Sequence, residues 1–141
     1  MKLSKSSKTA DRALAAKLIL PSDHSRTIFT LLELLRDNAP EVRMEAIRTA
    51  SKIGRSETWP LLIKQLALPV FSHLAARALK DIGEKTLPYL ENAFHKSGQS
   101  DLLMEKIIQV IGSIGGTEAM ELLWKKIDYP DKRIVQNTLH A

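Results

Sequence analysis

The chain has 141 residues, 44% hydrophobic, 26% charged and 5% aromatic, with no cysteine and a formal net charge of +5. This is the composition of one globular domain with an aliphatic core; it excludes disulfides and thiolate metal sites, and no apolar run approaches the ~20 residues of a membrane span. The charge is uneven: residues 1–24 hold Lys2, Lys5, Lys8, Arg12 and Lys17 against Asp11 and Asp23, whereas 25–141 hold sixteen basic and fourteen acidic residues, fewer cations than a surface tracking nucleic-acid phosphates over its length would need.

In chain order, residues 1–8 are polar and basic, and a disordered end is expected there. Residues 9–24 read as an N-terminal helix, stopped at Pro21, and a turn. Asp11, Arg12 and Lys17 interrupt its apolar run, which argues against a signal peptide. This helix is expected to pack on the first repeat as a cap or as half of a partial pair. Residues 25–36 then begin a repetitive region.

The repeat is plainest at residues 40–54, Pro-Glu-Val-Arg-Met-Glu-Ala-Ile-Arg-Thr-Ala-Ser-Lys-Ile-Gly, and 69–83, Pro-Val-Phe-Ser-His-Leu-Ala-Ala-Arg-Ala-Leu-Lys-Asp-Ile-Gly. Pro40 to Pro69 and Gly54 to Gly83 are both offsets of 29 residues, and a looser copy closes at Gly115, a further 32 on. Counted back from each glycine, Val42, Phe71 and Leu103, then Ala46, Ala75 and Ile107, then Ala50, Leu79 and Ile111, then Ile53, Ile82 and Ile114 fall at steps of four, four and three. That spacing predicts one buried helical stripe per copy. Proline is expected to open the first two helices and a left-handed glycine to close all three.

A second set of helices lies between these. Thr58-Trp-Pro and Thr86-Leu-Pro start two of them, with Thr58 and Thr86 as expected N-caps and proline in the first turn, and Thr117 is the expected cap of a third. The chain therefore reads as helix pairs of about thirty residues that bury their apolar stripes only by stacking. Pro130 starts one more helix, which runs to Ala141 without a closing glycine or polar cap, so the last repeat is expected to be incomplete and the chain a segment of a longer protein.

The alternation, and above all Asp37-Asn-Ala-Pro-Glu-Val-Arg followed by alanines and Ile53-Gly54, resembles the HEAT repeats, particularly the short bacterial kind also found in phycobilin lyases. The resemblance covers residues 25–141. It implies an all-α fold, a right-handed α-α superhelix of about four HEAT-like helix pairs plus the N-terminal helix, in one domain over 1–141. The second copy has Phe71-Ser72 and the third Leu103-Met104 where the family has Val-Arg, so an arginine ladder would end at Arg43.

Catalytic signals are absent from the pattern. His24, His73, His95 and His140 are widely spaced, with no metal-ligand pairing, and residues 112–116, Gly-Ser-Ile-Gly-Gly, lack the lysine and the preceding strand of a phosphate loop. Trp59 takes the repeat position of Leu87, so packing explains it. No cofactor, metal or catalytic residue is expected. The family geometry implies that the second helices line a concave surface. Arg48, Arg77 and Gln109 would form one row on it, with Lys80 and His73 on neighbouring rows, and no carboxylate between the two arginines at that level.

The expected function is a non-enzymatic interaction module that binds a protein segment, an acidic one by the charge of this row, on the concave surface. The alternatives are nucleic-acid binding and, by family association only, a lyase-type cofactor chaperone. A cytoplasmic location, or the cytosolic part of a larger protein, is expected.

Overall fold

The computed structural model describes residues 3–19, 25–96 and 98–126. The turn at Pro21, His24, the helix expected from Pro130 and His140 lie outside the described residues. Among the described residues every regular element is helical. They are α1 (Thr9–Leu18), α2 (Ser25–Leu34), α3 (Pro40–Ile53), α4 (Trp59–Gln65), α5 (Ser72–Ile82), α6 (Leu87–His95), α7 (Asp101–Ile114) and α8 (Gly116–Glu121), with a π-helical turn at Leu122–Lys126.

The helices form two layers. In one, α1 packs on α3, α3 on α5 and α5 on α7; in the other α4 packs on α6, and α2, α4 and α6 each contact the next helix of the first layer. The stripe counted from the glycines is the one that is buried: Val42, Ala46, Ala50, Ala75, Leu79, Ile107 and Ile111 are fully enclosed, Phe71 and Leu103 nearly so, while Ile53, Ile82 and Ile114 at the helix ends are half-buried. Leu31, Leu35, Leu62, Leu66 and Leu90 enter from the other layer. Each enclosed leucine contributes about 2–3 kcal/mol of apolar transfer, so the stack is held mainly by this shared core. The N-terminal helix is half of a pair: α1 continues the row of α3, α5 and α7 and buries Ala15 and Ala16. Of the basic end, Leu3–Lys5 form a 3-10 turn, and the Ser6 hydroxyl donates to Asp11 at 2.9 Å.

Several helix ends differ from the sequence expectation. Pro40 does open α3, but α5 begins at Ser72, not Pro69, because the Leu68 carbonyl first accepts the N–H groups of Phe71 and Ser72 in a tight turn. Gly54 is left-handed (φ 65, ψ 24), as expected. Gly83 and Gly115 instead pair a positive φ with an extended ψ (93, −149 and 69, −169), a region essentially restricted to glycine. All three N–H groups still bond the carbonyl four residues back.

Thr58 and Thr86 stand at the N-cap positions of α4 and α6, but their side chains do not cap. Each ends a 3-10 turn that leads straight into a helix, and its buried hydroxyl donates backwards to a carbonyl, Arg55 and Gly83 respectively, at 2.8 Å. A helix entered from 3-10 geometry keeps its first residues helical, so no extended capping residue is available. Thr117 is exposed inside the first turn of α8, with Gly115 at the capping position. The hydroxyl that does cap is Ser100, which accepts the Leu103 N–H at 3.1 Å.

Candidate functional site

On α5, His73, Arg77 and Lys80 are exposed and follow one another at four and three residues, one stripe of the helix turned away from the core. Arg48 on α3 and Gln109 on α7 are exposed at the matching level. These residues do not share one continuous trough. Two grooves divide them, separated by α5.

The first groove lies between α3 and α5 and has a volume of about 350 Å³. Arg48, Ser51 and Lys52 line one wall and Arg77 the other, with Leu74 and Ala78 beneath. Arg48 and Arg77 thus face a common space, as stacking of equivalent positions requires. The expectation of no carboxylate concerns the level of the two arginines, and carboxylates stand one turn to either side of it. Glu45, one turn earlier on α3, accepts from Arg48 at 2.7 Å, and Asp81, one turn after Arg77, lines the same groove. Counting along single repeat positions misses both, since helix neighbours three and four residues away are as close as the next repeat. Arg77, Lys52 and Lys80 make no ion pair among the described residues.

The second groove lies between α5 and α7, at about 510 Å³. His73 and Gln109 line it, with Lys106 and Ser113, over a floor that includes Ala76 and Val110. Leu102, 47% exposed, and Pro69 stand at its rim. Lys80 lines neither groove.

Beside these grooves is a polar cluster that the sequence pattern did not reveal. Arg12 on α1 holds both carboxylate oxygens of Asp37, at 2.8 and 3.2 Å, and also donates to the Ser6 carbonyl. Asp37 further accepts the Ala39 N–H at 2.9 Å. Burial pushes the Asp37 carboxyl up, but the hydrogen bonds from Arg12 and Ala39 and the charges of Arg12 and Arg43 outweigh it, and its pKa lies below the ordinary carboxylate value.

Arg43, the family arginine, donates to the Asp37 carbonyl at 2.6 Å, approaches the Gln65 side-chain oxygen at 3.4 Å and lies over the Phe71 ring at 5.2 Å. No ladder continues from it. The ring that replaces valine in the second copy receives the guanidinium face instead. Gln65 in turn donates to the Leu35 carbonyl at 3.1 Å, and Thr49 to the Ala16 carbonyl at 2.6 Å. Buried or half-buried and hydrogen-bonded to one another or to main-chain carbonyls, these groups act as structural ties. The sequence signal for them was Asp37, three residues ahead of Pro40, which the sequence shows only as part of the HEAT-like motif.

Trp59 is buried, as its repeat position requires, and packs edge-to-face on Tyr89 at 4.9 Å. Trp124 is 58% exposed. Among the described residues no three His, Asp or Glu side chains approach closely enough to hold a metal ion, and no helix is long and apolar enough to cross a membrane.

Residues 2–70 match the family model for HEAT repeats. The match starts well before residue 25, where the sequence pattern placed the first repeat, and so takes in α1, consistent with α1 standing in the row of α3 and α5. No curated protein matches the chain. HEAT repeats commonly mediate association between proteins and are generally non-catalytic. The likeness to HEAT repeats is thus carried by residues 2–70, and the two layers of paired helices are consistent with an all-α, HEAT-like stack.

Proposed function

We propose that this chain is a non-enzymatic interaction module that binds an acidic protein segment across the α3–α5–α7 face. The observation that carries the reading is the groove walled by Arg48 and Lys52 on one side and Arg77 on the other, with Lys80 one turn further along α5. Arg77, Lys52 and Lys80 are exposed and without an ion pair among the described residues, so a bound carboxylate would not have to break one. The Arg48–Glu45 pair is half exposed and worth at most about 0.5 kcal/mol, so an incoming carboxylate competes with it at little loss. Guanidinium groups hold carboxylates with two parallel hydrogen bonds, which favours this class of partner over an apolar one. In the second groove, His73 and Gln109 extend the contact surface, with the carboxamide able to hydrogen-bond a main chain.

The test is binding of a blocked, glutamate-rich octapeptide, followed by fluorescence anisotropy at two salt concentrations. Arg48→Glu with Arg77→Glu is expected to weaken binding by about 2 kcal/mol, roughly thirtyfold, and to leave the melting temperature within a few degrees. Unchanged affinity in the double variant overturns the proposal. Tighter binding of duplex DNA than of the peptide, falling steeply with salt, would replace it with the nucleic-acid reading.

A further inference from the structure

The other layer carries a groove of its own, between α4 and α6. We infer that it is a docking site for an extended protein segment that inserts one bulky apolar side chain and flanks it with a carboxylate.

The groove follows from helix periodicity. Pro60, Ile63 and Lys64 stand at i, i+3 and i+4 on α4; Tyr89 and Asn92 stand three apart on α6, with Lys96 a further turn on, so one stripe of each helix faces the other. Lys64 and Asn92 share a repeat position, 28 residues apart as Thr58 and Thr86 are, and that equivalence was available in the sequence. Ile63 is buried in the floor, and Gln99 closes one end. Behind the groove the buried Trp59 indole meets Tyr89 at an interplanar angle of 87°, so the tyrosine ring is braced on one side while 37% of the residue stays open to solvent. A braced, half-exposed aromatic is the type of surface that anchors a partner side chain at low entropic cost.

Size, charge and hydrogen-bonding capacity select the occupant. The volume is about 280 Å³, below the roughly 300–1,000 Å³ of sites that enclose whole small-molecule ligands and suited to a single large side chain. Lys64 and Lys96 stand on opposite walls, no carboxylate lines the groove, and neither lysine has an ion pair among the described residues. In the α3–α5 groove, by contrast, Glu45 and Asp81 offset part of the cationic charge.

Asn92 and Gln99 each offer a donor and an acceptor, matching the alternating N–H and C=O of a peptide, whereas the phosphodiester groups of a nucleic acid present acceptors only. Two lysines are also too few to follow a phosphate chain. The site lies on the opposite layer from Arg48 and Arg77 and stands or falls independently of the acidic-segment reading.

The experiment is an NMR titration of the ¹⁵N-labelled chain with the blocked peptide Gly-Ser-Asp-Phe-Asp-Ser-Gly. The largest shifts are expected at the amides of Ile63, Lys64, Tyr89 and Asn92 and at the Trp59 indole N–H, which Trp124→Phe distinguishes from the other indole. Replacing the peptide's Phe by Ala, or both Asp by Asn, should raise Kd at least tenfold. Lys64→Glu with Lys96→Glu should do the same without altering the melting temperature, since both side chains are exposed. Shifts confined to the α3–α5 groove, a Kd indifferent to the lysine reversals, or larger shifts at these residues with a single-stranded oligonucleotide would each overturn the inference.

Discussion

The two halves of this array are stacked alike and held together differently. Between α1 and α4, side chains tie one repeat to the next by satisfying carbonyls that helix geometry leaves open. Ala16 lies in the last turn of α1 and Leu35 just past the end of α2, and their carbonyls take hydrogen bonds from Thr49 and Gln65, each roughly a repeat later in the chain. Arg12, Asp37 and Arg43 complete the set.

From α5 to α7, among the described residues, polar side chains bond only to near neighbours in sequence, as Thr86 does to Gly83 and Ser113 to Gln109. The repeats there meet through apolar side chains, Ala75, Leu79, Ile107 and Ile111 among them. A hydrogen bond demands particular residue types, while an apolar contact demands only volume. The family match ends at residue 70, close to where the polar ties end.

The comparison breaks most sharply at the stripe position shared by Ala46, Ala75 and Ile107, all fully enclosed. Ile107→Ala is expected to destabilise by about 2–4 kcal/mol, because nothing polar compensates the cavity. Ala46→Leu should destabilise by about 1–3 kcal/mol, through overpacking against α1 and α5. Chemical denaturation measures both, and a neutral Ile107→Ala would mean that the second half is not held by packing.

The polar ties come next. Asp37→Ala should cost about 1–3 kcal/mol by stranding the half-buried Arg12. The folded-state pKa of Asp37 is below its unfolded value, so its contribution is fully present above pH about 4 and is lost as pH falls through the lower, folded value. Wild type should therefore lose more stability than Asp37→Asn between pH 5 and 2, an interval that spans the roughly pH 4 unfolded value. Parallel acid-induced loss in the two proteins would remove Asp37 from the account.

The smallest contrast is between closing glycines. No atom lies within 4 Å of an added Cβ at Gly54, and at Gly83 the nearest is the Lys80 carbonyl oxygen, at 4.0 Å, so any effect of alanine is one of backbone conformation. Gly54→Ala, in the left-handed region, should cost about 1 kcal/mol, and Gly83→Ala, with its extended ψ, about 1–3 kcal/mol. Thermal melts that ranked Gly54→Ala as the worse change would show that the two helix ends are not built differently.

Much of this architecture is legible in the chain itself, since glycine spacing and a four-four-three apolar step are local consequences of helix geometry. They located the helices, the buried stripe and the level of Arg48, Arg77 and Gln109. The start of α5 was missed because Pro69 is compatible with both a helix start and a turn, and only the bonds to the Leu68 carbonyl distinguish them.

The tertiary structure alone decided what crosses between repeats: Arg12 reaching Asp37 over 25 residues, Gln65 reaching Leu35 over 30, and Asp81 entering a groove that is purely cationic when counted along one row. The physical reason is that repeat periodicity fixes which residues share a level, but a long polar side chain selects its partner by the shape of the stack, and one sequence read along its length carries no measure of that shape.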